Sequence, residues 1–233
     1  MFVVAHEVGA TALLAGAAVE AVSGALRDGG RVGPATATLA AGAIALLAGA
    51  QSVVAQREIL LASPPDAVAR ALYGDNPFPE SPRIAAWIAE RTSPDDRVAV
   101  FGSEPQILFL AGRRSATGHV YMYPLLEPQP DARAMQEEMM REVVAARPAF
   151  VVSVRVPTSG VRREDSDARI LDEMAAFLRD GYEPCGAIVA SADGESRYLW
   201  EADAARAGGS DDVLAVVLRR RDLGRAGPGA GGG

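Results

Sequence analysis

Two patterns of apolar residues divide the chain near Arg57. Before it Ala, Val, Leu and Gly dominate and charges are few; after it charges recur at ordinary globular density. Ala35–Ala55 carries no charge, and about 20 residues of helix span the hydrocarbon core of a bilayer. Leu39, Ile44, Leu46, Leu47, Val53 and Val54 together favour insertion by about 2 to 4 kcal/mol, offset in part by Gln51 and Ser52. Val8–Val19 is a second apolar run, bracketed by Glu7 and Glu20. It predicts a second membrane helix, although the same composition also suits a soluble Ala-rich helix. No basic residue precedes it, as one would in a secretory signal. Arg27-Asp28-Gly29-Gly30-Arg31 separates the two runs. Counted by its arginines, this turn is cytoplasmic and both chain ends lie outside.

Beyond a connector at 57–80, marked by Pro64, Pro65, Pro77 and Pro79, the periodicities change to those of a globular module. Ile84, Trp87 and Ile88 recur at helical spacing over Ser81–Glu90. Val98–Phe101 and Phe150–Val156 are short continuous apolar runs, suited to strands buried on both faces. Gln106–Leu110 starts a helix with Ser103 or Glu104 at its cap and Pro105 in its first turn. Asp131–Ala146 is a helix with Met135, Met139 and Val143 on one stripe, and Asp167–Arg179 is another, closed by Gly181. Ala187–Ala190, Ser196–Glu201 and Val213–Arg219 read as strands, the first two joined through an Asp193-Gly194 hairpin turn. The tail at 222–233 is nearly all Gly, Ala and Pro after Asp222, a disordered composition. The expected fold is therefore α/β. A membrane helical hairpin at 1–56 and the connector precede a small mixed-sheet α/β domain at 81–221, placed on the extracytoplasmic side of the cell membrane.

A formal charge of −7 argues against a nucleic-acid partner; the apolar runs before Arg57 make membrane lipid the expected one. All 23 basic residues are Arg, a bias of the kind a GC-rich genome imposes. The single cysteine, Cys185, excludes an intrachain disulfide and a Cys cluster. His6 and His119 stand far apart without Cys or Asp at metal-ligand spacing, so no metal site is expected.

Candidate chemistry is sparse. Gly102-Ser103-Glu104-Pro105-Gln106 leaves a strand and enters a helix, the place where open α/β sheets bind ligands. It carries neither a dinucleotide nor a phosphate-loop fingerprint, so no cofactor is implied. Arg113-Arg114-Ser115 and His119-Val120-Tyr121-Met122-Tyr123-Pro124 suit an anionic lipid head group or a sugar. They equally suit a solvated loop and an edge strand. Glu104, Arg113, Arg114, His119, Tyr121 and Tyr123 form the candidate binding set. The Met-bearing helices read as core, and Glu137, Glu138 and Glu142 as a solvated face. With His119 alone in the module, no Ser/His/Asp grouping forms and no catalytic residue is assigned.

Tyr73-Gly74-Asp75-Asn76-Pro77-Phe78-Pro79-Glu80, Gly102–Ile107, Ala111–Thr117, Tyr123–Pro130 and Ala145-Ala146-Arg147-Pro148 resemble the C-terminal part of bacterial multi-spanning glycosyltransferases of the GT-C type. These are relatives of the protein O-mannosyltransferases and the lipid A aminoarabinose transferase. The likeness covers about residues 35–190. It implies transfer of a sugar from a polyprenyl-phosphate donor, with the catalytic carboxylate in an early extracytoplasmic loop. This chain has no matching loop, and Glu7 is not in a matching context, so no catalytic residue carries over. The resemblance thus implies a C-terminal fragment, acting with missing catalytic helices or a partner subunit. The alternative is a stand-alone membrane-tethered binding or scaffold module.

Overall fold

The computed structural model describes residues 16–25, 28, 33–57, 64–191, 195–207 and 212–223. It separates into two compact units, Met1–Pro64 and Pro65–Gly233.

The first unit holds helix α1 (residues 16–25) and helix α2 (Pro34–Ala55), which starts on Pro34, a residue whose fixed φ and missing N–H suit a first turn. Among the described residues α2 is the one helix long and apolar enough to cross a membrane, with mean hydropathy 1.7 over Ala35–Ala55. Its small side chains Ala37 and Ala41 are buried, whereas Leu39, Ile44, Leu46 and Leu47 are exposed. Small residues inward and large apolar residues outward is how helices pack when the surroundings are lipid. Arg27, Arg31 and most of the Val8–Val19 run lie outside the described residues, so the second span and the charged turn are not part of the observed architecture.

The second unit is a three-layer sandwich around a six-stranded sheet of order β2-β1-β3-β6-β4-β5. The strands are β1 (Arg97–Phe101), β2 (Arg114–Ser115), β3 (Phe150–Val154), β4 (Tyr182–Val189), β5 (Arg197–Trp200) and β6 (Val213–Arg220). The helices are α3 (Pro65–Tyr73), α4 (Ser81–Ala89), α5 (Gln106–Ala111), α6 (Tyr123–Leu126), α7 (Ala132–Ala146), α8 (Arg169–Gly181) and α9 (Ala202–Ala207). β1 pairs in parallel with β2 on one side and β3 on the other. β6 then runs antiparallel between β3 and β4, and β5 pairs antiparallel with β4 at the edge.

Strand alternation sorts the core into two halves. Val98 and Val100 of β1, with Phe150 and Val152 of β3, meet Ile84, Trp87 and Ile88 of α4 and Ile107 and Leu108 of α5. On the opposite face Ala99 and Phe101 meet Leu125 of α6, Met139 and Val143 of α7 and Ile170 and Met174 of α8. Both faces are covered, which is why β1 and β3 are continuous apolar runs. Gly186 is required by packing. A Cβ there would come within 2.4 Å of the Trp200 ring, and Trp200 stacks on Trp87 with centroids 4.5 Å apart.

Several expectations are corrected. Most of the predicted connector is part of the second unit. Pro65 opens α3, the Tyr73 ring stacks on Phe78 at 3.8 Å, and Asn76, Glu80 and Ser81 are buried. Proline in a first turn and proline in a linker are the same residue in sequence, and tertiary contact decides between them. Gly181 is not a left-handed cap. It ends α8 and the chain passes straight into extended Tyr182 and β4, so no reversal is needed. β4 begins five residues before the expected Ala187 because Glu183 and Pro184 interrupt the apolar pattern. Only from Gly186 onward does β4 have β5 as its second neighbour, so Pro184, without an N–H, sits where one side of the strand is open. The Asp193-Gly194 turn lies outside the described residues, but β4 and β5, the strands it connects, are paired antiparallel.

Candidate binding cleft at the carboxyl edge of the sheet

β1 leads through α5 to β2 on one side, and β2 leads through α6 and α7 to β3 on the other. The strand order therefore reverses between β1 and β3, and α5 and α7 fall on opposite faces of the sheet. Two crossovers leaving in opposite directions part at the carboxyl ends of these strands, where open α/β sheets have their crevice. Two turns meet there: Gly102-Ser103-Glu104 after β1 and the 3-10 turn Pro157–Ser159 after β3.

The two turns are clasped by a chain of short hydrogen bonds. The Ser103 N–H donates to Ser159 Oγ at 2.9 Å, and Ser159 Oγ donates to Glu104 Oε2 at 2.7 Å. Ser103 Oγ donates to the Ser159 carbonyl at 2.6 Å and accepts the Met122 N–H at 3.1 Å. Asn76 joins from the α3–α4 segment. Its Nδ2 stands 3.4 Å from Glu104 Oε1, and its Oδ1 accepts from Thr158 Oγ1. Gly102 makes the clasp possible, because a Cβ there would lie 2.3 Å from Glu104 Oε2 and 2.8 Å from Ser159 Oγ.

Glu104 has no solvent exposure. Burial, opposed by the Ser159 hydroxyl and the Ser103 amide, holds its carboxyl above the usual carboxylate range. The expected helix-cap role is not observed. α5 begins after Pro105 with no side-chain cap, because the Ser103 and Glu104 side chains turn into the clasp instead.

Outside the clasp lies a cleft of about 220 Å³ lined by Gly102, Met122, Leu126, Pro157, Ser159, Leu171, Met174 and the two arginines Arg155 and Arg162. Beside it Val161 takes φ 46°. That left-handed conformation costs a β-branched residue about 1 to 2 kcal/mol, and strain of this kind gathers at functional turns.

The six sequence-level candidates do not form one surface. Glu104 and Tyr123 come together: the Tyr123 hydroxyl donates to the Thr158 carbonyl at 2.9 Å. Burial first, then the Glu104 charge, push its phenol upward. Tyr121 packs edge-on against Tyr123 at 5.7 Å. Arg113 is occupied elsewhere, donating to the carbonyls of Ala89 at 2.9 Å and Thr92 at 2.7 Å; it closes the carboxyl end of α4. Arg114 is in register with Arg97 at the start of β1, about 13 to 20 Å of strand from Gly102 by the usual rise per residue. His119 Nε2 sits 3.1 Å from Glu138 Oε2.

Glu142, expected on a wet face, instead accepts from Thr117 Oγ1 at 2.6 Å and the Gly118 N–H at 2.9 Å. Those two bonds hold its carboxyl below the ordinary value. The stretch 117–119 is therefore fastened to α7. Ser159, Arg155 and Arg162 escaped the sequence reading as site residues, and Asn76 entered it only within the Tyr73–Glu80 stretch. The position of a second turn after an apolar strand is the one signal for Ser159, Arg155 and Arg162; Asn76, in the α3–α4 segment, has none.

Among the described residues no group of His, Cys, Asp and Glu is arranged to hold a metal ion. Comparison with protein-family models, with curated proteins and with solved structures gives no match.

Proposed function

We propose that the chain is a membrane-tethered binding module whose α/β domain receives a small anionic group, such as the phosphate of a sugar phosphate, without a reaction of its own. The observation that carries this reading is the cleft at the β1/β3 crossover point, lined by apolar side chains and by Arg155 and Arg162. A guanidinium offers a planar fork of donors that matches phosphate oxygens. The hydroxyl and carboxyl groups nearest the cleft are committed to one another: Ser159 to Glu104, and Ser103 to Ser159. That supports holding a ligand over attacking one.

In the setting that the GT-C resemblance implies, this module is the C-terminal, extracytoplasmic part of a polyprenyl-phosphate-sugar glycosyltransferase, anchored by an N-terminal helical hairpin. Its catalytic helices then lie in another chain or segment. The exposed Leu39, Ile44, Leu46 and Leu47 of α2 support the anchor.

The test is full chain reconstituted in lipid nanodiscs and titrated with polyprenyl phosphate and with the matching polyprenol. The phosphate binds and the alcohol does not, Arg162→Ala weakens binding at least tenfold, and supplied donor and acceptor give no transfer product. Equal binding of alcohol and phosphate removes the anion site; sugar transfer above background makes the chain an enzyme. Release of the chain by alkaline washing of membranes removes the anchor.

A further inference from the structure

A second cavity, of about 740 Å³, lies where α3 and the start of α4 face the edge strand β5, and it plays no part in the cleft above. Asp66 and Arg70 line it from α3, Glu80 and Arg83 from the start of α4, and Ser196 and Tyr198 from β5 and the residue before it. At its wall Glu80 is only 1% exposed. One carboxylate oxygen, Oε1, accepts from Arg70 Nη2 and from Ser196 Oγ at 2.5 Å. The other, Oε2, is buried with no donor. A carboxylate has about four lone-pair sites to satisfy, and leaving a buried polar oxygen unmatched is costly in itself. Arg83 does not serve it: its guanidinium lies over the Tyr198 ring, 4.1 Å from the centroid.

We propose that this cavity is a binding site for a small organic cation bearing N–H donors, an alkylammonium, which supplies the hydrogen bond that Glu80 Oε2 lacks. Charge selects the same class. Asp66, Glu80 and Glu195 on the wall outnumber Arg70 and Arg83, and both guanidiniums are already engaged, by Glu80 and by Tyr198. An incoming anion meets a net negative wall and an unsatisfied acceptor, whereas an ammonium is favoured by both. The cavity is wide enough for a substituent of several atoms behind the ammonium, within the usual range for small-ligand sites.

The experiment is NMR titration of the 15N-labelled full chain in detergent micelles with ethanolammonium chloride. Tetramethylammonium, equally charged but without N–H donors, and sodium chloride serve as controls at matched ionic strength. Saturable shifts of the Ser196 and Tyr198 amides are expected with ethanolammonium, at least tenfold weaker with tetramethylammonium, and at least tenfold weaker in Glu80→Gln. Asp66→Asn, an exposed position that leaves the Glu80–Arg70 pair intact, weakens binding two- to fivefold and serves where Glu80→Gln does not fold. The proposal is overturned by no saturable response, by an equal response to tetramethylammonium, or by unchanged affinity in either variant.

Discussion

Replacing Gly102 by Ala adds one methyl group where the clasp leaves no room for it. Its ideal Cβ lies 2.3 Å from Glu104 Oε2, 2.8 Å from Ser159 Oγ and 2.9 Å from Val154 Cβ. The first two neighbours are side-chain ends and can swing away, but doing so breaks the Ser159–Glu104 hydrogen bond. A buried bond to a carboxyl is worth about 1 to 3 kcal/mol once its partner is left unsatisfied. The third neighbour is fixed to the β3 backbone and can yield only by moving the strand, an overpacking cost of about 1 to 3 kcal/mol. Gly102→Ala should therefore destabilise the domain by about 2 to 6 kcal/mol, the sum of those two ranges.

Urea unfolding of the detergent-solubilised full chain, followed by tryptophan fluorescence, measures it. The double variant tests the contact with Glu104 directly. Glu104→Ala empties the space the methyl needs, so Gly102→Ala/Glu104→Ala should be less destabilised than the sum of the two single changes, with coupling of about 1 to 3 kcal/mol. Gly181→Ala is the control, since nothing lies within 4 Å of its added Cβ; it should be neutral or slightly stabilising. If Gly102→Ala unfolds at the parent's urea midpoint, or the double variant is simply additive, the clasp does not hold the two turns together.

Three further outcomes follow from the same geometry. Val152, fully buried at the centre of β3, should not tolerate Asp: an unpaired buried charge exceeds the stability of a domain this size, and Val152→Asp should lack a cooperative melt by circular dichroism. Glu104 has its carboxyl raised by burial, so the folded state holds its proton more tightly than the unfolded one. The stability this contributes is complete below the unfolded value of 4.5 and is lost as pH rises through the folded value. Glu104→Gln should remove that decline, leaving a flatter plot of melting temperature against pH above 4.5 than the parent shows. Cys185 is buried and its thiol is pushed up to about 12, so a maleimide at neutral pH should label it only through unfolding, at a rate that rises with urea.

Much of the sheet was legible because its central strands are covered on both faces. Val98–Phe101 and Phe150–Val154 are apolar at every or nearly every position, and they are paired in parallel, Val98 with Phe150 and Val100 with Val152. Helix α7 was legible for the complementary reason, a stripe of Met139 and Val143 turned to the core. The site was half legible. The turn at Gly102–Glu104 could be found because a strand ends and a helix begins there. Its partner, Pro157–Ser159, could not, since the clasp joins residues 55 and 56 positions apart and no local pattern encodes such a pairing. The arginines misled for a physical reason. Arg113 and Arg114 are adjacent in sequence, but Arg113 follows the left-handed Gly112 at the end of α5 and turns back to α4, while Arg114 continues into the edge strand. Neighbours in the chain were sent to different places by a single backbone reversal.

The Trp87–Trp200 stack has an optical consequence. These are the only two tryptophans in the chain, and they lie nearly parallel, 5° apart, in one layer between α4 and the sheet edge. Energy transfer between rings this close is efficient, so the pair emits as one chromophore. The N-terminal helices contain none, which leaves them dark to tryptophan emission. Far-ultraviolet dichroism, by contrast, weights α2 with its 22 residues heavily. Melting curves recorded by the two methods on one sample therefore differ in what they see, fluorescence the α/β domain alone and dichroism both units, and a gap between their midpoints marks separate unfolding of the apolar helices.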